Sequence, residues 1–175
     1  IRCAVVTLMV MALAGARTVK ISDELTTMFV VDRSSSIPRE IQDATVGYLR
    51  AVGESMGLKD RMGIVAFDGT SAVEMLPTGR FDLDRISEAI DPDHTNLAGA
   101  LRMAMALFPP DTARRIVVIS DGNENLGEAL NEADQLKAAG VPIDVLPLQY
   151  DHGEEVVFER LSAPSTASLE ETVNL

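Results

Sequence analysis

The chain has 175 residues, 46% of them hydrophobic and 24% charged, enough for one α/β domain with a sizeable core. Its net charge of −12 argues against nucleic acid and against an anionic membrane surface as partners. The lone Cys3 cannot form an internal disulfide, and with no Trp in the chain the core must rest on Val, Ile, Leu, Ala and Met.

The first feature in chain order is a continuously apolar or small run, Cys3 to Ala16, with Arg2 before it and Arg17 and Lys20 after it. A membrane-spanning helix needs roughly 20 residues, so three readings compete. The run is the end of a transmembrane helix, a signal-peptide core with Ala14-Gly15-Ala16 as cleavage site, or a buried helix. The first is favoured, and residues 1–19 are expected to be the C-terminal part of a transmembrane helix. Lys20 to Leu25 reads as a linker.

Thr26 to Asp32 reads as a buried strand, and Pro38 to Met56 as a helix, with Ile41, Ala44, Thr45, Tyr48, Leu49, Val52 and Met56 at three- and four-residue intervals. Arg61 to Phe67 is a second strand. Asp68-Gly69-Thr70 is a turn, and Ser71 to Leu76 alternates like an edge strand, so the two form a hairpin. Asp82 to Ile90 is expected to be a short helix, Asp91 to His94 a loop, and Thr95 to Phe108 a helix stopped by Pro109-Pro110. Arg114 to Ser120 is the β-branched run of a strand covered on both faces. A loop from Asp121 to Asn125 leads to a helix over Leu126 to Ala139, closed by Gly140. Val141 to Gln149 is the last clear strand. Val156-Val157-Phe158 could be a further one, and residues 153–175 read as a linker or the start of another module. Strands alternating with helices imply a doubly wound α/β fold, with a mostly parallel sheet, one antiparallel edge strand and helices on both faces.

In such a sheet, ligands bind outside the carboxyl ends of the strands, at the point where strand order reverses. Asp32-Arg33-Ser34-Ser35-Ser36 follows the first strand, Asp121 follows the Arg114–Ser120 strand, and Thr95 enters the helix before that strand. Asp32, Ser34, Ser36, Thr95 and Asp121 can therefore converge on one crevice as hard oxygen ligands of the kind that suit Mg²⁺. Each has a plainer reading. Ser36 could cap the helix that follows, Thr95 could be an N-cap, and Asp121-Gly122 an ordinary turn. Asp68 is most simply a hairpin residue. Glu124, Glu128, Glu132 and Asp134 read as a solvated helix face, and His94 and His152 as loop residues.

The order Asp-x-Ser-x-Ser, then Thr, then Asp resembles the metal-ion-dependent adhesion site of von Willebrand factor type A (VWA) domains. Here it reads Asp32, Ser34 and Ser36, then Thr95 in His-Thr-Asn-Leu, then Asp121 in Ile-Ser-Asp-Gly. The likeness spans about residues 26 to 150 and implies a VWA domain over 24–152. It departs from the family pattern at Ser35 and His94, where Gly is common. The resemblance implies a Mg²⁺, or Mn²⁺ or Ca²⁺, held by Ser34, Ser36 and, in one state, Thr95. Asp32 and Asp121 would act largely through water. An Asp or Glu carboxylate of a partner protein would complete the coordination, making a binding module and not an enzyme. The run Ala12 to Arg17 is also similar to the anchor of bacterial membrane-bound members of the family, whose domain faces the extracytoplasmic side.

Two other classes compete with a metal-dependent binding module. One is a Mg²⁺-dependent phosphohydrolase with Asp32 as nucleophile. It is weakened by Ser, not an acid, at position 34. The other is a scaffold with an inert metal site.

Overall fold

The computed structural model describes residues 24–150, so the apolar segment 1–19 and the stretch 153–175 lie outside the described residues. The described chain forms β1 (Leu25–Asp32), α1 (Arg39–Glu54), β2 (Arg61–Phe67), β3 (Ser71–Thr78), α2 (Leu97–Ala106), β4 (Ala113–Ser120), α3 (Ala129–Ala138) and β5 (Ile143–Pro147). The five strands make one sheet in the order β3-β2-β1-β4-β5. β1 pairs in parallel with β2 and β4, β4 with β5 likewise, and β3 is antiparallel to β2 at one edge. The expected doubly wound sheet is the observed one.

Successive side chains of a strand point to opposite faces, and the central strands fill both. Met28 and Val30 of β1 pack with Val65, Phe67, Ile116 and Val118 against Ala100, Leu101, Ala104 and Phe108 of the α2 segment and Leu136 of α3. Phe29 and Val31 pack with Met62, Ile64, Ala66 and Ile119 against Leu49 of α1 and Ile86. Helices therefore cover both faces. Each fully buried aliphatic or Phe side chain contributes about 1.5–3 kcal/mol, which is why these runs are continuously apolar.

The expected helix over Asp82 to Ile90 does not form; the segment is irregular. Nine residues make a marginal helix, and other partners claim its backbone. Ser87 N–H donates to Glu74, and Ile90 and Asp91 N–H donate to Asp68. Ile86 is buried, and Phe81 packs so closely on α1 that a Cβ at Gly53 would lie 2.5 Å from it.

The remaining differences lie at element ends. α1 begins after Pro38 with no side-chain cap, so Ser36 is not a capping residue. Asn96, not Thr95, caps α2 by accepting the Gly99 N–H. α3 starts at Ala129, later than Leu126, behind Gly127 at φ +101°, a left-handed conformation that favours glycine. β3 runs on to Thr78, through Pro77, which an edge strand tolerates.

Candidate metal centre

The order β3-β2-β1-β4-β5 reverses between β1 and β4, and the loops leaving both strands open on that crevice. Asp32 ends β1 with 2% of its surface exposed. Its Oδ1 accepts the Ser34 N–H at 2.9 Å, a turn that swings the serines back over the strand end. Its Oδ2 accepts the Ser120 hydroxyl at 2.6 Å from the end of β4, and Ser120 Oγ in turn accepts the Gly122 N–H at 3.0 Å. The Ser34 and Ser36 hydroxyls share a hydrogen bond at 2.9 Å. Ser36 lies near enough to Asp121 to lower its pKa. Asp32, Ser34 and Ser36 are thus joined by direct hydrogen bonds, and Ser120 links Asp32 to the loop that carries Asp121.

Thr95 is buried in a loop bound to both others. Its N–H donates to Asn125 Oδ1 at 2.8 Å, and its carbonyl accepts the N–H groups of Asn125 and Leu126. Ser35 N–H donates to Pro92 O, and Ser35 Oγ to Asp93. All five residues anticipated from the sequence therefore lie on three loops fastened to one another at one sheet end.

Two aspartates share this small space, and their surroundings push them apart. Burial raises the Asp32 pKa; the Ser120 and Ser34 bonds oppose it without cancelling it, and the Asp121 charge adds to it. Burial also acts upward on Asp121. Bonds from the Asn123 N–H, Tyr150, Ser36 and the Asn123 amide outweigh it, so the carboxyl stays below the usual range. A cation would relieve both the desolvation and the mutual repulsion.

The donor set fits a hard divalent ion. Among the described residues, no cluster of three or more His, Cys, Asp or Glu side chains is placed to hold a metal; the centre is rich in hydroxyls instead. Adjacent ligands of an octahedral Mg²⁺ with bonds of about 2.0–2.1 Å lie about 2.9 Å apart, and the Ser34–Ser36 oxygen separation is 2.9 Å. Neutral hydroxyls and carboxylates already committed to hydrogen bonds would leave a bound ion under-neutralised and open to an external anion.

Four residues around the centre were not singled out by sequence. Ser120 bridges the two strand ends; its only signal was a polar residue closing the apolar run Ile116–Ile119. Tyr150 donates its hydroxyl to Asp121 Oδ2 at 2.7 Å, and burial together with that bond pushes its pKa up to about 12, so it stays a donor at neutral pH. Asp68 is more than a hairpin residue. Its buried carboxylate accepts N–H groups from Thr70, Ile90 and Asp91 and the Thr70 hydroxyl, while its carbonyl accepts the Asn96 N–H beside Thr95. Glu124 is not part of a solvated helix face. Its two oxygens accept Ala98 N–H at 3.0 Å and Ala129 N–H at 2.8 Å, capping α2 and α3 together.

Residues 27–124 match the family model of the von Willebrand factor type A domain. No curated protein sequence matches the chain. Among solved structures, an aerotolerance-related membrane protein from Bacteroides fragilis, carrying multiple mutations to serines, shares 21% identity over 77% of this chain and 73% of its own, at a TM-score of 0.61. The conserved hypothetical protein BatB from Bacteroides thetaiotaomicron shares 18% over 70% and 66%, at 0.58. Proximal thread matrix protein 1 from the mussel byssus, with a zinc-occupied MIDAS motif, shares 18% over 72% and 38%, at 0.53. At these identities the likeness is one of fold.

Proposed function

The chain belongs to the von Willebrand factor type A domain family, and from that premise we propose that it is a divalent-metal-dependent protein-binding module. In this reading Ser34, Ser36 and Thr95 hold a Mg²⁺, or Mn²⁺ or Ca²⁺. Asp32 and Asp121 balance its charge through hydrogen-bonded water, and a partner's Asp or Glu carboxylate takes an open position. The observation that carries it is the Ser34–Ser36 hydroxyl pair, spaced 2.9 Å apart beside two carboxylates at the β1/β4 crevice.

The zinc-occupied MIDAS motif of the mussel byssus protein supports a divalent ion in this fold. The bound metal would supply a Lewis-acidic position for an anionic side chain. The chain's own residues do the rest. The Asp32 turn presents the serines, Ser120 locks β1 to β4, and Asn125 with Asp68 sets the height of the Thr95 loop.

Asp32 is a poor candidate for the nucleophile of a phosphohydrolase. It is 2% exposed, and each carboxylate oxygen already accepts a hydrogen bond. We further propose that residues 1–19 tether the domain to a membrane with the site on the extracytoplasmic side. The aerotolerance-related neighbour's description as a membrane protein supports this reading. Among the described residues no helix is long and apolar enough to cross a membrane.

Calorimetric titration with MgCl₂ tests the assignment. The whole chain should bind one Mg²⁺. Asp32→Ala and Asp121→Ala should abolish binding while far-ultraviolet circular dichroism stays unchanged. Absence of Mg²⁺, Mn²⁺ and Ca²⁺ binding by the parent chain would refute the metal reading. Partner capture that survives EDTA would identify an inert scaffold.

A further inference from the structure

Tyr150 lies beyond β5, outside the three loops that supply the proposed ligands. β5 is parallel to β4, and beyond its end Leu148 N–H still donates to Ser120 O at 2.9 Å. Tyr150 follows two residues later, so its position is tied to the end of β4. From there its hydroxyl donates to Asp121 Oδ2 at 2.7 Å. Ser36 acts on the pKa of both groups, so the serine hydroxyl is their neighbour.

Asp121 is otherwise held by its own loop. Asn123 N–H donates to Oδ1 at 3.0 Å and the Asn123 amide to Oδ2 at 3.2 Å. Both Asn123 bonds come from two residues away and move with the loop. The Tyr150 bond comes from the segment after β5, which Leu148 N–H fastens to Ser120 O. An outer partner of a directly ligating carboxylate typically contributes 10–100-fold to metal affinity, and for a carboxylate that acts through water the lower end, about 10-fold, is expected.

We propose that Tyr150 is a positioning residue of the metal centre. It anchors the Asp121 carboxylate from the segment that follows β5, and its phenol senses occupancy of the site. The proposal rests on the metal-binding reading above. The sensing follows from chemistry: a carboxylate that accepts a phenol proton quenches tyrosine emission, and a cation that draws the carboxylate's charge relieves that quenching.

The chain has two tyrosines and no tryptophan. The other tyrosine, Tyr48, is 44% exposed on α1. In a Tyr48→Phe chain, emission therefore reports Tyr150 alone. MgCl₂ should raise that emission along the same curve as calorimetric heat. Tyr150→Phe removes only the hydroxyl and should weaken Mg²⁺ binding by about 10-fold, with the circular dichroism spectrum unchanged. If the parent binds Mg²⁺ and Tyr150→Phe binds it within twofold of the parent, the proposal is overturned and the metal reading stands. The same holds if Tyr150 emission ignores Mg²⁺ at concentrations that saturate the calorimetric signal. If the parent binds no divalent ion, both fall.

Discussion

Removing the Asp68 carboxylate should unfasten the loop that carries Thr95. Asp68 Oδ1 accepts Thr70 N–H at 2.6 Å and Thr70 Oγ1–H at 2.8 Å, and Oδ2 accepts Ile90 N–H at 2.6 Å and Asp91 N–H at 3.1 Å. A hydrogen bond to a charged acceptor contributes about 1.5–3 kcal/mol net. Thr70 and Ile90 are exposed, so water replaces part of what is lost. Counting two bonds in full at the lower value gives about 3 kcal/mol for Asp68→Ala, or a fall in melting temperature of about 10 °C for a domain of this size.

The pH dependence has a definite sign. Burial raises the Asp68 pKa, but the bonds from Thr70, Asp91 and Ile90 outweigh it and hold the group below the ordinary aspartate range. A depressed carboxylate stabilises the fold above its unfolded pKa, and that stabilisation disappears as pH falls through the folded value. Urea unfolding of parent and Asp68→Ala from pH 7 to pH 3 should show a gap that is constant above about pH 5 and narrows below about pH 4. A gap under about 1 kcal/mol at pH 7, below the contribution of a single such bond, or one that does not narrow with acid, would refute the reasoning.

Ser120→Ala should lower stability by about 1.5–3 kcal/mol in urea melts, because it strips a donor from the buried Asp32 carboxylate, and should weaken Mg²⁺ binding in the same protein. Glu124→Ala removes the acceptor of the Ala98 and Ala129 N–H groups at the N-termini of α2 and α3 and should cost about 2 kcal/mol; an unchanged urea midpoint would show that water caps them equally well. Thr95→Ala should weaken carboxylate-partner binding far more than Mg²⁺ binding, read by calorimetry and by capture of the partner with and without EDTA. Ser34, Ser36 and the two aspartates still hold the ion, whereas the partner-competent geometry needs the Thr oxygen. Equal losses of both affinities would make Thr95 an ordinary ligand.

The sheet was legible because its central strands are largely buried. Phe29-Val30-Val31 and Ile116-Val117-Val118-Ile119 are buried except for the half-buried Val117, so they appear as unbroken apolar, largely β-branched runs, and their alternation with helical patterns leaves few topologies. The candidate metal centre was legible for a related reason. Asp32, Ser34 and Ser36 sit within five residues, and strand order alone brings Asp121 to the same end of the sheet.

What the sequence left open depended on partners distant along the chain. The residues from Asp82 to Ile90 have an acceptable helical pattern. Asp68, 22 residues before Ile90, claims two of that region's N–H groups, and a buried carboxylate outbids a short helix. Ser120 meets Asp32 across 88 residues, Tyr150 meets Asp121 across 29, and Glu124 meets Ala98 across 26. A lone Ser, Tyr or Glu carries no local mark of such a bond. Its role is set by which side chain the folded sheet places opposite it. Composition and spacing therefore determined the fold class and the loops of the candidate site. Only tertiary packing decided how those loops are locked, since hydrogen-bond geometry between separated segments exists only once the sheet has formed.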